Sequence, residues 1–234
     1  MTDTKSYRTE VFMQEARKRN ILMLVINLYI VLSTAVIVFL GVTGGAGAGQ
    51  VGEGMRGAGY LKAFTNLSNI LAAAASAAVL YYNIRNLKDR TDELPRRVLV
   101  LQYAGASAVG LTFLVVLCFL GPLFQLQGKG YFTMYSGEMF FFHLLNPVLC
   151  SVELVLLERK HVLTLRDNLT AVVPAFLYSL LYLMMVVILR QWSDFYNFTF
   201  GGRYWVSPLT MLAIYLISFG IAFVQRRLHN ARVL

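Results

Sequence analysis

A hydroxyl and an imidazole held away from bulk water are the smallest pair of side chains that can transfer an acyl group. The imidazole takes the hydroxyl proton as the oxygen attacks a carbonyl, then gives a proton to the leaving group. This chain places Thr65 and His143 in polar patches inside otherwise apolar stretches. Around the first the order is Phe64-Thr65-Asn66-Leu67-Ser68-Asn69, followed closely by the alanine run 72–75. Around the second, Asn146, Pro147, Cys150 and Glu153 follow His143. The G-x-S-x-G turn that presents a serine in many soluble hydrolases is absent.

Helical spacing puts these residues on shared faces. At about 100° per residue, His143, Asn146, Pro147, Cys150 and Glu153 fall within an arc of about 120°, while Phe140, Phe141, Leu144, Val148 and Val152 fall outside it. Thr65, Ser68 and Asn69 share a face in the same way. Polar side chains in a membrane helix are expensive and usually turn toward the bundle interior. Both faces therefore predict inward seams, with a kink at Pro147, which removes a helical hydrogen bond. Asn66, Ser68, Asn69 and Asn146 are candidate oxyanion donors, and Glu153 is a further candidate for contact with a substrate. The same residues could instead hydrogen-bond neighbouring helices, cap the helix or bond back to the preceding turn.

The elements that position them are set by the bilayer. Of 234 residues, 57% are apolar and 14% charged, against about a quarter charged in a typical soluble domain. Six stretches reach the roughly twenty residues that span hydrocarbon: 21–42, 64–82, 98–120, 138–157, 171–189 and 207–224. Each must be helical, because lipid offers the backbone no hydrogen-bond partner. The expectation is an all-α polytopic membrane protein with a six-helix domain over 21–224, an N-terminal tail over 1–20 and a C-terminal tail over 225–234. The polar residues before the first span and the lack of a small-residue cleavage pattern after it predict a retained span, not a removed signal peptide. Sixteen of the 21 Lys and Arg residues lie in the two tails and in the segments after spans 2 and 4. The positive-inside rule then puts both ends in the cytoplasm of a multi-pass cell-membrane protein. The net charge of +9 is accounted for by these clusters beside the membrane and does not point to nucleic acid.

The segments on the other side differ in kind. The stretch 41–59 holds nine of the 18 glycines and predicts a flexible cover. Its Gly47-x-Gly49-x-x-Gly52 has no flanking strand and helix, so it is not a dinucleotide fingerprint. The segment 191–206 is rich in aromatics, suited to interfacial anchoring or to lining the entrance for an amphiphile. Cys118 and Cys150 sit in apolar blocks as small hydrophobes, and no Cys or His spacing suggests a metal or other cofactor.

Three segments carry a family resemblance: Tyr60-Leu-Lys-Ala-Phe-Thr65-Asn-Leu-Ser-Asn69, His143-Leu-Leu-Asn-Pro147 and Gly202-Arg-Tyr-Trp-Val-Ser-Pro208. They resemble the span entrances and the His-x-x-x-Pro of the androgen-induced protein family, which includes the androgen-dependent TFPI-regulating protein. The animal members of that family are membrane threonine hydrolases acting on fatty acid esters of hydroxy fatty acids. The resemblance implies Thr65 as nucleophile, His143 as base, a fatty acyl ester as substrate and membrane lipids as surroundings. Two other readings fit the same residues. One is a small proton-coupled transporter using His143 and Glu153; the other is a non-enzymatic lipid-binding protein whose polar seam only joins helices.

Overall fold

The computed structural model describes residues 2–44 and 57–233, and the side chains of all of these except 2–10 and 12. Most of the glycine-rich segment, with the Gly47–Gly52 pattern, lies outside the described residues. The described chain is helical without a strand, and six helices are long and apolar enough to cross a bilayer: Met13–Thr43, Phe64–Asp89, Arg96–Leu126, Glu138–Leu157, Leu165–Ile188 and Tyr204–Val233. They are called spans 1 to 6 below. Span 1 belongs to a single helix that begins at Thr2.

Span 3 is the centre of the bundle. Every residue from Gln102 to Thr112 is buried, so this helix has no lipid face over three turns. Its run of Ala, Gly and Ser makes that possible, since small residues let neighbouring backbones approach. A Cβ added at Gly105 would sit 3.0 Å from the Cα of Ala72; the alanine run of span 2 therefore packs directly on span 3. Polar side chains tie the other spans to this core. The Tyr103 hydroxyl lies 2.9 Å from Asn168 Oδ1 of span 5 and 2.5 Å from the Ala222 carbonyl of span 6. Ser107 donates to Gln225 Oε1 at 2.8 Å, and Gln225 Nε2 donates to Ser151 Oγ of span 4 at 3.1 Å.

The four basic segments meet at one end of the bundle. Arg19 pairs with Asp92 at 2.6 Å and Lys160 pairs with Asp92 at 3.3 Å. Span 5 starts on a capping box, with Thr164 and Asp167 satisfying each other's backbone N–H groups, and Arg96 reaches the same Asp167 at 2.5 Å. The C-terminal segment is not a free tail. Span 6 runs on to Val233 and buries Gln225 and His229, the latter between the Leu154 and His161 carbonyls. The polar character of 225–234 hid this extension. In a Cys118→Ser background, Lys129→Cys is expected to react with an impermeant thiol reagent outside intact cells and Arg90→Cys is not. The reverse labelling pattern would overturn the charge-derived orientation.

Span 4 departs from a regular helix in an instructive way. It has the expected ends, but π turns interrupt it at Phe141–Leu145 and Glu153–Leu157. The first immediately precedes Pro147, and another, Val116–Leu120 of span 3, precedes Pro122. A proline has no N–H to give and its ring crowds the carbonyl one turn back, so widening the preceding turn relieves it. In the widened register residue 147 would bond to the Phe142 carbonyl. Pro147 cannot, and Asn69 Nδ2 of span 2 donates to that carbonyl at 3.3 Å. The inward seam is as expected: His143, Asn146, Pro147, Cys150 and Glu153 are all buried, and Phe140 and Val148 face outward.

Candidate functional site

Thr65 sits in the first turn of span 2, at the end of the bundle opposite the basic cluster. It lines a narrow apolar cavity of about 40 Å³, bounded by spans 2, 3, 5 and 6 and by the aromatic segment after span 5. The polar groups on its wall are Thr65, Thr112, Tyr178, Ser179, Tyr182 and Tyr196. Thr112 shares a 3.1 Å hydrogen bond with Ser68 and Ser179 donates to the Ala175 carbonyl at 2.7 Å. Those hydroxyls are thus tied into the helices, and Thr65 and Tyr196 form the polar focus of the cavity.

Tyr196 completes the start of span 2. The residue before this helix, Ala63, offers no side-chain cap, so the first N–H groups need another acceptor. The Phe64 N–H donates to the Tyr196 phenol oxygen at 2.9 Å. Thr65 lies beside the same oxygen, whereas the Tyr178 phenol on the same wall donates to the Lys62 carbonyl at 2.7 Å. Burial pushes the Tyr196 pKa above its ordinary value, so this phenol keeps its proton at neutral pH and has an O–H to donate. A positive helix end, a threonine hydroxyl and a protonated phenol therefore share one point of an apolar slot.

The segment that delivers Tyr196 is built around Asp194. Its carboxylate accepts from the Phe198 N–H at 2.9 Å, the Thr199 N–H at 2.7 Å, the Thr199 hydroxyl at 2.5 Å and the Tyr182 hydroxyl at 2.7 Å. Partial burial acts to raise its pKa, but the hydrogen bonds outweigh that and hold it below the usual carboxylate range. The sign follows from linkage. A depressed folded pKa adds stability that is complete above the unfolded value, about 3.9, and is lost as pH falls through the folded value. Asp194→Asn is expected to lower stability at neutral pH by about 1–2 kcal/mol and to remove this acid-dependent loss. Thermal unfolding in detergent at pH 7 and below pH 4 measures both effects.

His143 takes a different position. It is buried in the π turn of span 4, and its Nδ1 lies 2.6 Å from the Met134 carbonyl in the segment after span 3. A carbonyl only accepts, so Nδ1 carries the hydrogen and Nε2 of the neutral ring holds the lone pair a base needs. Among the described residues no hydrogen bond joins His143 to Thr65, and His143, Asn69 and Asn146 are not among the residues that line the cavity. The two helices are linked one turn below Thr65, where Asn69 meets the Phe142 carbonyl.

The candidate oxyanion donors have other duties. Asn69 Nδ2 also donates to the Thr65 carbonyl at 2.8 Å, and Asn146 Nδ2 donates to Asn69 Oδ1 at 2.9 Å and to Thr34 Oγ1 at 3.3 Å. Asn66 donates to the Tyr60 carbonyl at 2.6 Å and Ser68 to the Thr65 carbonyl at 3.0 Å. These groups join spans 1, 2, 3 and 4 and brace the start of span 2. Glu153 accepts a hydrogen bond from Asn27 of span 1, ten residues or about 15 Å along the helix from His143. It belongs to a separate cluster. The residue the sequence did not single out is Tyr196, whose signal was only the density of aromatics in its segment.

No protein-family model, curated protein or solved structure matches this chain.

Proposed function

We propose that this multi-pass protein is a cell-membrane hydrolase of fatty acyl esters, related to the androgen-induced protein family, with Thr65 as nucleophile. The observation that carries the reading is the Thr65 hydroxyl, which opens onto an apolar cavity beside a protonated phenol. The lining suits an acyl chain with its carbonyl turned to the start of span 2, and the walls of this narrow cavity must part to admit it. In the acylation step Thr65 Oγ bonds to the carbonyl carbon and its proton passes to His143 Nε2. The Tyr196 O–H donates to the developing oxyanion, and the alcohol leaves with the proton from His143. Water then splits the acyl-threonine by the same route and releases the fatty acid. His143 must close on Thr65 in the substrate complex, where catalytic hydrogen bonds commonly shorten.

A specific observation favours the second reading, acyl-lipid binding without turnover: Thr65 and His143 share no hydrogen bond and the amide donors are occupied. One experiment separates the two. Purified protein is incubated with a long-chain alkyl fluorophosphonate and digested, and the peptide containing Thr65 is weighed. The enzyme reading expects covalent labelling of Thr65, blocked by a fatty acyl ester and lost in His143→Ala. Reversible competition by fatty acid with no covalent adduct would leave a binding protein.

A further inference from the structure

The basic end of the bundle holds cations that the fold itself does not use. Among the described residues, Arg17 of span 1 and Lys88 and Arg90 at the end of span 2 are exposed and belong to no ion pair. Carboxylates close to them in the chain are taken by other partners. Glu15 pairs with Lys18 at 3.0 Å, Asp89 with Arg85 at 3.4 Å and Asp92 with Arg19 at 2.6 Å. All three unpaired cations line one groove of about 790 Å³ between spans 1 and 2, and no carboxylate is among its lining residues.

Buried side chains fix the shape of this groove. Asn20 of span 1 donates to Asp92 Oδ1 at 3.3 Å. Asn86 of span 2 donates to the Glu93 carbonyl at 2.8 Å, and accepts from the Thr91 hydroxyl at 2.8 Å and the Glu93 N–H at 3.1 Å. These bonds hold the turn after span 2 against span 1, so the cations stand on a shaped wall. Arg90 lies just past the helix in the left-handed conformation, with φ 54° and its N–H on the Asn86 carbonyl. Glycine is the usual residue at such a position, yet here it carries an arginine side chain. A helix C-terminus attracts cations, which accounts for Lys88 or Arg90. It does not account for Arg17, which lines the same groove from the other helix.

Depth in the membrane decides the ligand. Arg17 lies one turn, about 6 Å, before the apolar stretch that begins at Ile21, and Lys88 about 9 Å past the one that ends at Tyr82. At those distances their long side chains reach the polar headgroup layer beside the hydrocarbon. Three positive charges without a carboxylate favour a headgroup of net negative charge over a zwitterion, and the arginine forks match phosphate oxygens. We propose that Arg17, Lys88 and Arg90 bind the phosphate of an anionic phospholipid, which clamps spans 1 and 2 together at the basic end. The phosphate gives these cations the partner that the fold withholds. The groove is at the opposite end of the bundle from the Thr65 cavity, so the site stands whether or not the protein hydrolyses esters.

The test uses the full chain in dodecyl maltoside at fixed ionic strength, titrated with dioctanoyl phosphatidic acid as the probe. The melting temperature is expected to rise saturably, by about 5–10 °C at roughly a hundred times the dissociation constant. Dioctanoyl phosphatidylcholine should give no such rise. The triple variant Arg17→Gln, Lys88→Gln, Arg90→Gln should fold, since these exposed side chains hold no ion pair, and should bind phosphatidic acid about tenfold more weakly or worse. Arg17→Gln alone provides a second arm, with a weakening of about threefold or more. Arg159→Gln, Arg166→Gln and Arg232→Gln together remove the same charge from exposed positions outside the groove and should change the affinity by less than about twofold. Absence of a saturable rise, an equal rise with phosphatidylcholine, or equal weakening by the variant outside the groove would overturn the proposal. An equal rise with inorganic phosphate would do the same, because the ligand would then be a soluble phosphate.

Discussion

Thr65→Ala is expected to remove the fatty acyl ester hydrolysis of the purified protein almost completely, and His143→Ala is expected to do nearly the same. A nucleophile and its base act as a unit, so either loss costs about as much as both, and the double variant should be scarcely slower than the singles. Thr65→Ser keeps an oxygen at the same place and should retain part of the rate. Tyr196→Phe tests the part of the site that the structure added. It keeps the ring in the cavity wall and removes only the O–H. If that group donates to the oxyanion, kcat should fall about 10²–10³-fold with KM little changed. The same change removes the acceptor for the Phe64 N–H, so the melting temperature must be followed in parallel. A loss of activity that only tracks a loss of fold would assign Tyr196 to capping alone. Glu153→Gln should leave the rate nearly intact, since Glu153 lies about 15 Å along the helix from His143. If it abolished function while Thr65→Ala did not, the carrier reading would replace the enzyme.

The contrast between what patterning revealed and what it hid has a physical basis. Six spans were legible because the bilayer demands about twenty apolar residues for each crossing, and the chain has six such blocks. The inward seam of span 4 was legible because helical periodicity survives a π turn: one extra residue rotates the face by about 100°, yet the polar residues stand closely enough to stay inside. The ends were less visible. Span 6 runs through Gln225 and His229 because both find partners within the bundle, and no property of the isolated segment predicts partners supplied by spans 3 and 4.

The site was harder still. Spacing put Thr65, Ser68 and Asn69 on one face, and they do share one, but that face is divided among neighbours. Ser68 turns to Thr112 of span 3, Asn69 to span 4, and Thr65 to the cavity and Tyr196. A face is a direction, and which helix occupies that direction is decided by the whole packing. Tyr196 lies 132 residues from the backbone group it caps. No local rule connects the two. The clue available was negative: a helix starting after alanine, without a cap of its own.

The last expectation concerns stability and the accommodation of Pro147. Asn69→Ala removes the donor to the Phe142 and Thr65 carbonyls and the acceptor for Asn146 Nδ2. Interhelical hydrogen bonds in membranes average about 0.6 kcal/mol and reach about 1.7. Two such bonds, a third within span 2 to the Thr65 carbonyl, and a small void at a fully buried position amount to about 2–3 kcal/mol. The variant should therefore melt well below the parent protein in detergent. A double-mutant cycle identifies the cause. Pro147→Ala restores an N–H at 147, and in the π register of Phe141–Leu145 that N–H can bond to the Phe142 carbonyl itself. Pro147→Ala should then cost less in the Asn69→Ala background than alone, with a coupling of about 1 kcal/mol. Strict additivity would mean that Asn69 is not the substitute for the missing proline N–H. Coupling would show that a carbonyl freed in span 4 sets the polar character of span 2, one turn below Thr65.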